Sequence, residues 1–267
     1  MSAVPQPEQP MLLREDRGGI ATLTLNRPEQ FNALSGELLE RMQQALDEIA
    51  ADRGVRVVVI AARGRGFCAG HDLKEIHALG TQERIEGLFR KCSKMMLSLV
   101  ALPQPVIAKV HATATAAGCQ LVAQCDLAVA ADSARFAVSG VNFGLFCSTP
   151  SVALARNVGR KQAMEMLLTG EFIDAATAKA HGLINRVAPA AELDAEVERL
   201  ATLVASKPRE AVATGKRAFY RQIEMGFESA YALASEVISC NAASAEGREG
   251  LNAFLEKRKP QWPAGQS

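Results

Sequence analysis

Aromatic residues make up only 5% of the 267-residue chain, with one tryptophan and two tyrosines. No basic block is interleaved with them, so a nucleic-acid surface is not expected. The basic cluster KRKP at 257–260 is short and reads as a solvated helix end. Charge of one sign is also missing. Lys and Arg number 30 against 29 Asp and Glu, for a formal net charge of +1. No run approaches the ~18 consecutive apolar residues of a membrane span, so no membrane partner is expected. The opening MSAVPQPEQP has neither a basic start nor an apolar segment behind it, unlike a secretory signal. The six cysteines include no CxxC pair, so neither a metal site nor a disulfide framework is expected. Together these absences point to a soluble protein of a reducing compartment, expected to be cytoplasmic.

What is present is an alternation of strand and helix patterns. IATLTL, 20–25, alternates as a half-buried strand does, and ELLERMQQALDEIAAD has helical spacing behind a capping Ser35. VRVVVIAA, 55–62, is a β-branched run suited to a strand covered on both faces. A helix is predicted from about 81 to 101, and PVIAKVHA supplies the next strand. A helix over 115–125, strands in DLAVAA and RFAVS, helices from 150 to 181 and a last strand in GLINRVAP follow. Beyond about 191 the pattern is helical only, with Pro208 in a first-turn position. The fold class is therefore α/β, built of parallel βαβ units.

Two segments invite chemistry. In TATAAGCQLVAQCD, 113–126, side chains shrink to methyl groups where a strand becomes a helix. The first N–H groups of a helix have no internal partner and carry partial positive charge. Small residues at 114, 116 and 117 would let a ligand oxygen reach them; they would equally serve close helix packing. RGRGFCAGHDL places a second Gly-rich bend directly after a buried strand, where ligands gather in open α/β sheets. Two such bends could aim two N–H donors at one oxygen.

NRPEQFNALS, GRGFCAGHDLKE, the PVIAKVHA–AAGCQLVAQCDLAVA segment, RKQAMEMLLTGEFIDAATAKAHGLINRV and FLEKRKPQW together resemble the crotonase, or enoyl-CoA hydratase/isomerase, family from about residue 12 to 262. The resemblance implies a ClpP-like spiral of ββα units over 12–195 and a helical trimerisation or lid region over 196–267, behind a disordered or extended stretch, 1–11. It implies homotrimers or hexamers, coenzyme A thioester substrates and no prosthetic group. Carried over by motif, the thioester carbonyl would rest on the main-chain N–H groups of His71 and Ala117, the latter a glycine in most relatives. Coenzyme A contacts would fall on Arg27, Ala33, Ala69, Asp72, Leu73 and Lys74, with Phe254 and Lys257 supplied by a neighbouring subunit.

The two glutamates that flank a water in hydratases of this family align with Gln120 and Gly140. AAGCQLVAQCD with GVNFGLFCSTPSVALAR resembles one branch of the family, a branch without the usual acid/base pair. A glutamine can donate and accept hydrogen bonds, but it cannot take a proton near neutral pH as a carboxylate does. The chain thus reads as an acyl-CoA enzyme with weakened or different chemistry, as a noncatalytic acyl-CoA binder or assembly partner, or as a thioesterase using Ser148 or Cys147. Ser139 and Asn142 are further polar candidates, although loop hydrogen bonding is the plainer role for all four. The His71 imidazole is expected to be a polar loop group, with a place facing the site as the alternative, His111 a satisfied core histidine, and Asp126 a cap or structural partner. His77 and His181 carry no motif.

Overall fold

The computed structural model describes residues 10–263. Most of the expected N-terminal stretch, residues 1–9, lies outside them. An antiparallel pair, β1 (Leu12–Arg17) and β2 (Ile20–Leu25), opens the chain. Helix α1 (Gly36–Ala51) follows, with Ser35 accepting from the Leu38 N–H as its cap. Its predicted face, Leu38, Leu39, Met42, Leu46 and Ile49, is buried.

Next come β3 (Val57–Ala62), β4 (Gly66–Cys68), α2 (Leu73–Leu79) and α3 (Gln82–Ala101), the last capped by Thr81. A second turn gives β5 (Val106–Val110), β6 (Thr113–Thr115) and α4 (Ala117–Gln124). A third gives β7 (Leu127–Ala131), β8 (Arg135–Ala137) and α5 (Ser148–Asn157). Then follow α6 (Arg160–Thr169), β9 (Ile173–Asp174), α7 (Ala175–Ala180) and β10 (Arg186–Ala188). Four helices close the chain: α8 (Leu193–Ala205), α9 (Arg209–Gln222), α10 (Phe227–Ala243) and α11 (Ala245–Leu255).

The strands sort into two sheets, one ordered β1-β2-β3-β5-β7-β10 and the other β4-β6-β8-β9. Each turn of the spiral therefore gives its first strand to one sheet and its second to the other. From β2 onward the larger sheet is parallel. Alternation along β3 explains why it must be apolar throughout. Val58 and Ile60 join the main core with α1 and α3, while Val57 and Val59 meet Leu193, Val197 and Leu200 of α8.

Pro208 corrects its expected place slightly: it precedes α9 as the cap residue instead of lying in the first turn. No helix among the described residues is long and apolar enough to cross a membrane.

Candidate functional site

The two Gly-rich bends meet. Gly70, at φ +93°, lies so close to the β6–α4 turn that a Cβ on it would stand 2.8 Å from Ala116 Cβ and 3.1 Å from Ala117 N. A Cβ on Gly118 would stand 2.2 Å from Cys68 O, so the end of β4 rests directly on the first turn of α4. Glycine is required at 118 because no side chain fits there.

Both bends leave N–H groups free. Leu34 N donates to Gly70 O at 2.7 Å and Asp72 N donates to Leu34 O at 3.3 Å. His71 lies between these two bonds in a parallel bridge, so its own N–H points away from Leu34. Gln120 N is the first of α4 to find a partner, Ala116 O at 3.0 Å. Among the described residues, the N–H groups of His71 and Ala117 have no acceptor. Free N–H groups at a helix start favour a partial negative charge, so the junction can hold an oxygen that gains one.

Ala116, at φ 50° and ψ −121°, occupies a backbone region that only glycine enters without strain. The cost is of order 1–3 kcal/mol, and the conformation turns the chain sharply from β6 into α4. The run of small residues reads as room for a ligand or for close packing, and it does not show which alanine bears the strain.

The His71 ring corrects the expectation of a polar loop group. It packs edge-on against Phe89 of α3, centroids 4.8 Å apart, and both ring nitrogens are buried without a hydrogen-bond partner. Burial lowers its pKa below the usual histidine value, only partly opposed by the nearby Leu34 main chain. His111 departs from its expected role too. It lies one residue beyond β5, and only Nε2 is bonded, to Gly64 O at 2.8 Å; buried Nδ1 has no partner.

Gln120 is 5% exposed, and its Oε1 is likewise buried without a partner. Gly140, where the resemblance aligns the second glutamate, sits in a closed space. A Cβ there would meet Leu145 O at 2.4 Å and Cys147 Sγ at 2.8 Å, so the backbone leaves no room for any side chain. The Gly140 N–H instead donates to Cys147 Sγ at 3.2 Å. Burial raises the Cys147 pKa, opposed by that N–H, and burial with Cys147 nearby pushes Cys119 up to about 12. Neither thiol is poised as a nucleophile. Ser148 Oγ donates to Phe146 O at 3.3 Å, Ser139 and Thr115 share a hydroxyl contact of 2.9 Å, and Asn142 is exposed.

The remaining candidates fall into two groups. Arg27 spans from Ala33 O, at 2.5 Å, to the Asp72 carboxylate, at 3.2 Å. Burial works to raise the Asp72 pKa, but Arg27 and the Glu75 and Lys74 N–H groups hold it below the usual value. Ala69 on the same bend and Leu73 and Lys74 at the start of α2 are exposed. Phe254, 81% exposed, and Lys257 lie at the far end of the chain, on and just beyond α11. Among the described residues no hydrogen bond or ion pair joins those two to the bend. Asp126 is a structural partner, as expected, tying Lys216 and Tyr220 of α9 to the core.

The Enoyl-CoA hydratase/isomerase family profile matches residues 15–265. Enoyl-CoA hydratase domain-containing protein 3, mitochondrial, of Xenopus laevis is 47% identical over 95% of this chain and 86% of its own. A crystal structure of an enoyl-CoA hydratase from Mycobacterium smegmatis superposes with a TM-score of 0.94 at 57% identity, covering 95% of this chain and 99% of that one. The crystal structure of the human domain-containing protein 3 gives 0.92 at 45% identity, covering 95% and 100%. This is the branch that AAGCQLVAQCD and GVNFGLFCSTPSVALAR resemble. The expected cytoplasmic location is overturned by these relatives, since the Xenopus laevis, Homo sapiens and Rattus norvegicus proteins are all named as mitochondrial. With a family match across nearly its whole length and the crotonase fold, the chain belongs to the enoyl-CoA hydratase/isomerase family.

Proposed function

We propose that the chain binds acyl-CoA thioesters, with the thioester carbonyl on the main-chain N–H groups of His71 and Ala117, and does so without the two-carboxylate machinery of hydration. The observation that carries this reading is the contact between the two bends, with a Gly70 Cβ position 3.1 Å from Ala117 N and both N–H groups unpartnered. Arg27, Ala33, Ala69, Asp72, Leu73 and Lys74 form the coenzyme A side of this proposal. Phe254 and Lys257 would come from a neighbouring copy in a homotrimer or hexamer, whose core is 12–195 and whose assembly region is 196–267.

Magnitudes set what such a site can do. An oxyanion donor contributes on the order of 10²–10³ in rate. A positioned general acid or base contributes ~10²–10⁴, so losing both costs up to ~10⁸. Gln120 can orient a water or a substrate oxygen by its amide, and Gly140 has no room to supply anything. The site thus polarises a thioester and leaves proton transfer to another group. That imbalance also favours the second reading, a noncatalytic acyl-CoA binder. Thioesterase action finds no support in Ser148, bonded to the Phe146 carbonyl, or in the protonated Cys147 thiol.

Calorimetric titration with acyl-CoAs, with mass spectrometry for products, separates the readings. We expect saturable binding, and crotonyl-CoA hydration at least ~10⁴-fold below that of an enzyme with both glutamates. Gly140→Glu should fail to restore hydration and should destabilise the fold by about 1–3 kcal/mol through overpacking. Hydration at ordinary enzymatic rates, abolished by Gln120→Ala, would contradict the proposal.

A further inference from the structure

A cleft of 330 Å³ opens where β3 begins, at the opposite end of that strand from the 63–72 bend. Six residues at ~3.3 Å each put the two about 20 Å apart. Arg53, Arg56, Arg209, Glu210, Glu246 and Trp262 are among its walls. Of three cations and two carboxylates, Arg53 and Glu210 pair with each other, which leaves Arg56 and Arg209 against Glu246 alone, a net charge of one positive. Glu246, 8% exposed, accepts from the N–H groups of Glu210 and Ala211 at 3.2 and 3.1 Å in the first turn of α9. Glu210 pairs with Arg53 at 3.5 Å.

Arg56 and Arg209 have no carboxylate partner within ion-pair distance among the described residues. Arg56 donates to Lys207 O at 2.5 Å, and Arg209 donates to the main-chain oxygens of Arg53 and Asp52. Carbonyl oxygens fix the direction of a guanidinium without cancelling its charge. Arg209 is moreover the first residue of α9, at the positive end of the helix dipole, where a cation is disfavoured. Burial, with Arg53 and Arg56 nearby, holds its pKa below the usual value despite the raising effect of Glu210 and Asp52. Two half-buried guanidinium groups therefore line one cleft without a carboxylate at ion-pair distance, and the Glu246 carboxylate, turned to the α9 N–H groups, offsets only one of the two charges.

We propose that this cleft is a second ligand site, independent of the thioester site, that takes a phosphate-bearing organic molecule. Arg56 and Arg209 hold the phosphate, since a planar guanidinium fork matches phosphate oxygens. Trp262, its Nε1 fixed on Ser206 O at 3.1 Å, walls the organic part.

Calorimetric titration of the full chain with sodium pyrophosphate, sulfate and ADP at fixed ionic strength tests this. Pyrophosphate should bind and ADP more tightly still, with sulfate weakest. Arg56→Gln and Arg209→Gln should each raise the pyrophosphate Kd by about tenfold or more, and Arg56→Lys should recover part of the loss. Thermal melting of each variant verifies folding, and binding of a crotonyl-pantetheine thioester, which carries no phosphate, should be unchanged. Absence of pyrophosphate binding, equal response to sulfate, or Kd values unmoved in both glutamine variants would overturn the site. ADP binding no tighter than pyrophosphate would overturn the part assigned to Trp262.

Discussion

In the function we propose, His71 serves through its backbone, while its side chain answers to packing. The ring sits neutral against Phe89, with both nitrogens buried and unpartnered. Its folded-state pKa lies below the ordinary ~6.5 of the unfolded chain. Between those two values the unfolded state binds more protons than the folded one, so stability rises with pH. The contribution of the neutral ring is complete above ~6.5 and is lost as pH falls toward the folded value. His71→Phe should thus remove part of the stability that the natural protein loses on acidification from pH ~7 to ~5. Urea denaturation across that range measures it, and identical pH slopes for the two proteins would contradict the assignment. The main-chain N–H is untouched by the substitution, so acyl-CoA binding at pH ~7 should survive it.

At the scale of elements, α9 is latched to the spiral by one carboxylate. Asp126, between α4 and β7, accepts from Lys216 Nζ at 2.6 Å, Tyr220 OH at 2.9 Å and Val106 N at 2.7 Å. Lys216 is 7% exposed and Asp126 15%, so each needs the other. Burial lowers the Lys216 pKa and the Asp126 charge pulls it back. Asp126→Ala strands a buried ammonium with only the carbonyl oxygens of Leu99 and Gln104, at a cost of about 3–5 kcal/mol. Denaturation midpoints give the loss, and amide exchange should show α9 released before β5 and β7; an effect below ~1 kcal/mol would sink the latch. The sequence made the long elements legible, since β2, α1, α3 and β5 carry enough residues for a period to show. It hid β4, which sits inside a Gly-rich bend, and β6, which sits in the run of small residues, because both compositions read as turn, and α2, whose surface has no buried face. The division of strands between two sheets was legible only through the family resemblance. At the candidate site, composition located both bends, while the positions of Gln120 and Gly140 came from the family resemblance alone. The closed space at Gly140 and the strained Ala116 depend on backbone atoms from the next loop, which no local pattern reports.

For the molecule as a whole, the C-terminal helices leave an apolar account open. Helix α10 spans 17 residues without a single buried one, and it packs mainly on α9 and α11. Phe227 is 87% exposed, Tyr231 72% and Ile238 63%, at spacings of four and seven that put them on one helical face. Covering large side chains like these yields roughly 1.5–3 kcal/mol each, which gives the face a strong reason to meet another surface. A second copy of the chain supplies that surface in the homotrimer or hexamer we propose. Sedimentation at micromolar concentration should therefore give three or six times the 28.5 kDa of one chain. Tyr231→Glu with Ile238→Glu should shift the mass toward the single chain while leaving the spiral folded, because neither residue belongs to its core. If the natural protein sediments as one chain, or if the charged pair leaves the assembly intact, α10 is not the contact. The same experiment bears on the thioester site, since loss of assembly should weaken acyl-CoA binding if Phe254 and Lys257 reach it only from a neighbour.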